Sequence, residues 1–296
     1  MINDVIEKLV ADKYRIETLI REGSSGDLYS ARHEVLDRPV TVKMLPAALA
    51  IDTRWVKRFI DEARAASALS HENILNLTDF GTDAKGVSYA VFEAVDGETL
   101  RDLLVRDAAF DERRALNVSR QIAGAATAAH AKQVIHGVLN PDNIFIKSVD
   151  GSDNVKVFGF GGERNYVARD AAPQYLAPEQ STAFPSADER SDVYALGVII
   201  YEMLSGAVPF DGATGAAVTA KQNTEPPAPL SATRLDIHPE IEPIVLTALA
   251  ADPDKRYQTM DAFAEDLEIL SGRIGIPAKA AAATAAGGAS KRNIWQ

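Results

Sequence analysis

Cysteine is missing altogether from the 296 residues, which excludes disulfides and thiolate metal sites. Basic residues are scarce: 31 Lys and Arg face 42 Asp and Glu, a formal charge of −11, so the charge balance draws the chain neither to nucleic acid nor to an anionic membrane surface. The five histidines, His33, His71, His130, His136 and His238, lack the HExxH or comparable spacing of a dedicated metal cage, and no metal ligand is assigned. Long apolar runs are absent too. The longest, Val193 to Leu204, contains Tyr194, Tyr201 and Glu202 and falls short of the roughly 20 residues of a membrane-spanning helix. No secretory signal is apparent, and Val5, Ile6 and Leu9 read as one stripe of a short polar helix; a cytoplasmic location is expected. What the chain does have is 46% hydrophobic residues, ample for the core of one large domain or two lobes.

The last stretch differs in kind. After Ile276-Pro277 comes an Ala/Gly-rich tract, Ala278 to Ala289, and then Ser290-Lys291-Arg292-Asn293-Ile294-Trp295-Gln296. Two readings stand: a disordered linker, or a juxtamembrane stub with Lys291 and Arg292 as positive-inside residues and Trp295 as interface anchor, leading to a membrane tether beyond the C-terminus.

From Tyr14 to Phe92 the pattern is strand-rich, interrupted by one helix. Tyr14 to Ile20 and Leu28 to His33 flank a turn containing Gly23, Ser24, Ser25 and Gly26, and Val40 to Leu45 is a third strand. Residues 54 to 69 switch to helical period, with Trp55, Phe59, Ala66 and Leu69 on one stripe, before strands at Asn73 to Phe80 and Val87 to Glu93. After Gly97 the pattern predicts helices at 99–105, 112–133, 191–205, 213–222, 239–251 and 259–270. A hairpin, Ile144 to Lys147 and Val155 to Phe158 across Asp150-Gly151, interrupts them. The expected architecture is α+β: a small sheet lobe, a larger helical lobe and a cleft between them.

Glu62 lies between Phe59 and Ala66 at spacings of three and four, which places a carboxylate on the inward stripe of its helix. Strand alternation sets Thr41, Lys43 and Leu45 on one face and Val40, Val42 and Met44 on the other, so Lys43 is the natural counter-ion. Taken alone the pair is either a structural ion pair or one that orients phosphates.

Several segments in series then resemble those of bacterial eukaryotic-like (Hanks-type) serine/threonine protein kinases: Tyr14-Arg15-Ile16, the glycine turn from Ile20 to Tyr29, Lys43 with Glu62, His136 to Asn143, Gly159-Phe160-Gly161, Gln174 to Gln180, Ser191 to Gly197, and Arg256 as partner of Glu179. They run in family order over about residues 14 to 270. The resemblance implies a two-lobed kinase-like fold, with an N-terminal extension at 1–13, an N-lobe at 14–95, a C-lobe at 96–270 and a tail or linker at 271–296.

It also implies missing chemistry. In the family an Asp-Phe-Gly aspartate holds magnesium, and an aspartate and a lysine of the catalytic loop serve the nucleophile and the phosphoryl group. Here Gly159, Val138 and Asn140 stand in those places, Arg21 replaces the first glycine of the turn, and Gly137 and Ala172 replace an arginine and a threonine. Asp142 is the nearest carboxylate, and the family pattern turns it away. Gly161 to Ala177 contains no serine or threonine to phosphorylate. At the adenine end Leu28, Thr41 and Phe145 add bulk, with Phe92 as gatekeeper and Glu93 to Val95 as hinge; ordinary core repacking is the other reading of that bulk. Positions that would touch a nucleotide, if one binds, are Ile20, Gly23, Gly26, Leu28, Thr41, Lys43, Glu62, Phe92, Glu93, Val95, Asn143 and Phe145. No cofactor is expected beyond weak, metal-independent ATP.

The resulting expectation is a catalytically inactive kinase-like protein that acts on protein partners as scaffold or regulator in phosphosignalling. Two alternatives stand beside it: a weakly active serine/threonine kinase and a nucleotide-sensing module without transfer.

Overall fold

The computed structural model of the chain describes residues 5–23, 26–161, 172–181, 187–234 and 236–275. It opens with β1 (Leu9–Val10), β2 (Tyr14–Arg21), β3 (Asp27–His33) and β4 (Arg38–Met44). A short α1 (Ala47–Ala50) and the longer α2 (Thr53–Ser67) follow, then β5 (Leu77–Thr82) and β6 (Ser88–Glu93). All six strands form one antiparallel sheet in the order β1-β2-β3-β4-β6-β5.

The alternation read from β4 is realised. Val40, Val42 and Met44 join Tyr14, Ile16, Tyr29 and Val91 on one face, while the opposite face packs Leu28, Ala90 and Phe92 against Phe59 and Ala63 of α2. Asp52 caps α2, accepting the Arg54 amide, which fixes where the helix begins.

Two expectations for the sheet lobe need correction. Val5, Ile6 and Leu9 do not share a helix: Glu7, Ala11 and Asp12 have φ of 63°, 51° and 53°, which breaks any helical run, and Leu9–Val10 pair with Arg15 and Tyr14 as a sheet edge. Apolar residues here serve the sheet core instead. Nor does the strand near residue 73 begin there. The Asn73 side chain is drawn inward, donating to Gln121 Oε1 at 3.0 Å and the Val155 carbonyl at 2.9 Å, and regular pairing starts only at Leu77.

Beyond the hinge, β7 (Glu98–Thr99), α3 (Leu100–Asp107) and α4 (Glu112–His130) lead to the hairpin of β8 (Ile144–Val149) and β9 (Ser152–Val157). Asp150 and Gly151 at its tip have φ of 51° and 77°, the backbone that a two-residue hairpin turn requires. The helical lobe is completed by α5 (Glu189–Ser205), α6 (Gly215–Thr224), α7 (Leu230–Thr233), α8 (Ile241–Ala248) and α9 (Met260–Arg273).

Residues 191 to 204 of α5 are all buried, so this helix is the spine on which α4, α8 and α9 pack. It ends at Gly206, whose φ of 80° closes the C-terminal turn. Two helices are shorter than the pattern suggests, α4 stopping at His130 and α8 spanning only Ile241–Ala248, whereas α9 runs on to Arg273. No helix among the described residues is long and apolar enough to cross a membrane. The tail beyond residue 275 lies outside the described residues.

Candidate functional site

The cleft between the lobes is centred on Lys43 of β4 and Glu62 of α2. Lys43 Nζ donates to Glu62 Oε1 at 2.6 Å, with the two side chains only 6% and 18% exposed. The ammonium also lies 5.5 Å from the Phe59 ring centroid and 5.9 Å from that of Phe158. Little water reaches this pair, and loss of either member would strand a charge in an apolar setting.

Above it sits the glycine turn, folded onto itself. Gly26 N donates to Gly23 O at 3.0 Å, and Gly23 N donates to Asp27 Oδ1 at 3.2 Å. Gly26, at φ 142°, lies so close to Lys43 that a Cβ would stand 3.0 Å from Lys43 Cε and from the Met44 carbonyl oxygen. Only glycine permits that approach. Asp27 thus takes an amide that a phosphate-cradling turn would offer to a ligand.

At the inner end, Leu28, Phe92, Phe145 and Phe158 form one buried cluster, with Ile20 and Val95 packed at its margin. Phe92 meets Phe158 edge-on at 5.1 Å. Thr41 faces this cluster from β4, and its Oγ1 accepts the Val95 amide at 2.9 Å. The Glu93 carboxylate is engaged elsewhere, by Lys156 at 2.7 Å and the Asn76 amide at 3.1 Å.

A narrow space, partly open to solvent, adjoins the ion pair; Lys43, Glu62, Leu69, Phe92, Gly159 and Phe160 are among its lining residues. None of Ile20, Leu28, Thr41, Val95 or Phe145 lines it.

The floor is the loop from His136 to Asn143. Asp192 of α5 fastens it, accepting the amides of His136 and Gly137, each at 2.8 Å, and the His130 ring nitrogen at 2.7 Å. Burial alone would push the Asp192 carboxyl upward, but these donors outweigh it and hold the group below the usual range. His136 is fully enclosed. Its Nε2 donates to the Phe158 carbonyl at 2.9 Å while Nδ1 faces the Val138 amide, the arrangement of a neutral ring, and burial lowers its pKa.

Around this floor the Asn140 and Asn143 side chains turn onto their own loop, both donating to the Val138 carbonyl, at 2.9 and 3.2 Å. Asn140 Oδ1 in turn accepts the Asp142 amide at 2.9 Å. The Asp142 carboxylate faces Arg101 of α3, 3.6 Å away, rather than the cleft. Gly159, at φ 95°, has ordinary space beside it: a Cβ there would lie 3.7 Å from His136 Cε1 and 4.0 Å from Asn143 Cγ. So Val138, Asn140, Asn143 and Gly159 do come together, and the side chains at 138, 140 and 159 carry no charge. Among the described residues no three His, Asp or Glu side chains are grouped to hold a metal ion.

Glu179 and Arg256 are joined by two hydrogen bonds of 2.8 Å, Arg256 lying over the Tyr194 ring at 4.9 Å. Gln180 ties this region to the floor, donating to the Gly137 carbonyl at 2.6 Å. Ala172 packs at the margin of the helical core, and residues 162–171 lie outside the described residues. Three features have no counterpart in the sequence reading: Asp27 on the Gly23 amide, Thr41 on the Val95 amide, and Arg21, whose Nη1 donates to the Asp142 carbonyl at 3.2 Å. The Asp after the second glycine was the available signal for the first; the others join residues far apart in sequence.

Comparison with known proteins agrees with this geometry. Residues 14–267 match the family model described as protein kinase domain. The serine/threonine-protein kinase pkn3 of Myxococcus xanthus is 35% identical over 283 residues, which are 90% of this chain and 52% of that protein. The serine/threonine-protein kinase PknB of Mycolicibacterium smegmatis is 38% identical over 271 residues, 87% of this chain and 43% of that protein. The chain therefore spans about half the length of the curated relatives it matches or less. Among solved structures, the PknI kinase domain of Mycobacterium tuberculosis superposes with a TM-score of 0.70 at 25% identity, covering 89% of this chain and 98% of that one. With its sheet lobe, its helical lobe and the cleft between them, this chain belongs to the protein kinase family.

Proposed function

We propose that this chain is a kinase-fold module that does not transfer phosphate and acts through protein partners, as a scaffold or regulator in phosphosignalling. The observation that carries the reading is the engagement of Asp142. It is the one carboxylate in the loop from His136 to Asn143, and it is turned toward Arg101, so nothing in that loop replaces the base absent at Val138.

Magnesium and ATP, the partners that the family implies, do not suit the residues present. At the metal end Gly159 has no side chain to ligate the ion. At the other end the Val95 amide is already satisfied by Thr41, and Leu28, Phe92 and Phe145 are buried in a common cluster. Phosphoryl transfer relies on positioned charge, and the side chains at 138, 140 and 159 supply none. Any residual nucleotide binding is proposed to be weak and independent of metal.

A second reading, a weakly active serine/threonine kinase, has its own support. The curated relatives carry that name, and the Lys43–Glu62 pair is fully formed at 2.6 Å. Incubation of the purified chain with labelled ATP, magnesium and a general protein substrate separates the two. Under the first reading incorporation equals that of a Lys43→Ala control; incorporation above the control establishes the second.

A further inference from the structure

Arg21 is the last residue of β2 and so belongs to the sheet lobe, yet its Nη1 donates to the backbone carbonyl of Asp142 in the helical lobe, 121 positions away. The receiving loop is itself fixed. The Asp142 amide is held by Asn140 Oδ1 at 2.9 Å, and its carboxylate lies 3.6 Å from Arg101 Nε. Arg101 is tied to Glu202 of α5 at 2.9 Å and to the Tyr175 hydroxyl at 2.8 Å. A continuous series of polar contacts thus runs from the end of β2 to the most buried helix of the other lobe.

The near side is equally constrained, since Gly26 bonds back to Gly23 and lies against Lys43. Arg21 Nε is inaccessible and has no hydrogen-bond partner among the described residues, and burial lowers the guanidinium pKa, with Asp142 the opposing charge. A cation in such a place gains little locally and loses hydration. Its hydrogen bond to the Asp142 carbonyl of the other lobe is what holds the guanidinium there.

We infer that Arg21 is a built-in strut between the lobes, keeping the cleft closed in the absence of any ligand. A nucleotide bridges the walls of a cleft by touching both; here a side chain does so permanently. The inference deepens the reading of a module that does not transfer phosphate, and rests on it in one respect: a partner would then meet one fixed arrangement of the two lobes.

Because the chain has no cysteine, two introduced ones report the lobe separation cleanly. Val35, 80% exposed between β3 and β4, and Val105, 80% exposed on α3, are suitable positions. With spin labels at Val35→Cys and Val105→Cys, pulsed dipolar spectroscopy should give one narrow distance distribution without ligand, unchanged by ATP and magnesium. Adding Arg21→Gly should broaden the distribution toward longer distances. Arg21→Lys, which keeps the charge on a shorter unforked side chain, should do the same and serves if the glycine variant fails to fold.

A folded Arg21 variant with the parent's narrow distribution overturns the strut. So does a parent distribution that is broad until ATP and magnesium are added. Phosphate incorporation, assayed separately on the parent, bears on the absence of transfer and not on the strut, so the two ideas fail independently.

Discussion

Thr41 and Val95 are 54 residues apart, yet the hydroxyl of the first accepts the backbone amide of the second at 2.9 Å. Thr41 pairs with Phe92 across β4 and β6, so its Oγ1 is carried to the point where the chain leaves the sheet for the hinge. A buried amide that already has a partner gains little from a ligand, because binding must first break the internal bond.

Thr41→Ala follows directly as a test. The variant should lose about 1 kcal/mol of stability, the net worth of one ordinary hydrogen bond, and should bind ATP more tightly than the parent because the Val95 amide is released. Urea denaturation and titration calorimetry measure the two effects. Micromolar, magnesium-dependent affinity in the parent would contradict the reading, as would a variant that binds no better.

Restoring acidic groups is expected to fail. Val138→Asp with Gly159→Asp should not give turnover within tenfold of an ordinary kinase, whose rates are roughly 1 to 100 per second. Asn140 still supplies no charge, Arg21 still crosses the cleft, and groups that act as a unit do not contribute additively. At Gly159 the obstacle is conformation rather than space, since φ is 95° although a Cβ would meet only ordinary contacts. Single-turnover assays with labelled ATP decide the matter, and robust turnover in the double variant sinks the idea.

The Lys43–Glu62 pair carries a stability prediction that holds for either functional reading. Glu62→Ala should destabilise the chain by about 3 to 5 kcal/mol, as removal of one member leaves a buried charge unpaired. Replacing both with apolar residues of similar volume should cost much less. A loss below about 1 kcal/mol for the single variant, the range of an exposed pair, would show that water reaches Lys43 freely.

Local pattern made much of this legible in the sequence. Alternation on β4 and the helical stripe of α2 were enough to pair Lys43 with Glu62, and Asp150-Gly151 announced its own hairpin. Glu179 with Arg256 was legible only through the family resemblance, because no local period links residues 77 positions apart. What stayed hidden is tertiary. Three non-glycine residues with positive φ, Glu7, Ala11 and Asp12, turn an apparent helical stripe into a strand edge. Nothing in a sequence window tells which way the long side chain of Arg21 will reach, or that a bulky Thr41 will act through its hydroxyl rather than its volume.

The pH dependence of stability should carry the signature of His136. Its pKa is lowered in the folded chain, because burial disfavours the imidazolium more than Asp192 and the Phe158 carbonyl favour it. The unfolded chain therefore binds the proton first as pH falls. The stability tied to the neutral ring is fully present above about pH 6.5, the ordinary histidine value, and declines below it. The slope is at most about 1.4 kcal/mol per pH unit for one proton. Asp192 acts at lower pH: its folded pKa is below the usual carboxylate value, so its contribution persists above about pH 4 and is lost as pH drops through the folded pKa. Urea midpoints measured from pH 8 to 5 should fall chiefly below 6.5, and a folded His136→Asn variant should lose most of that slope while starting from lower stability. An unchanged slope in the variant would assign the decline to other groups.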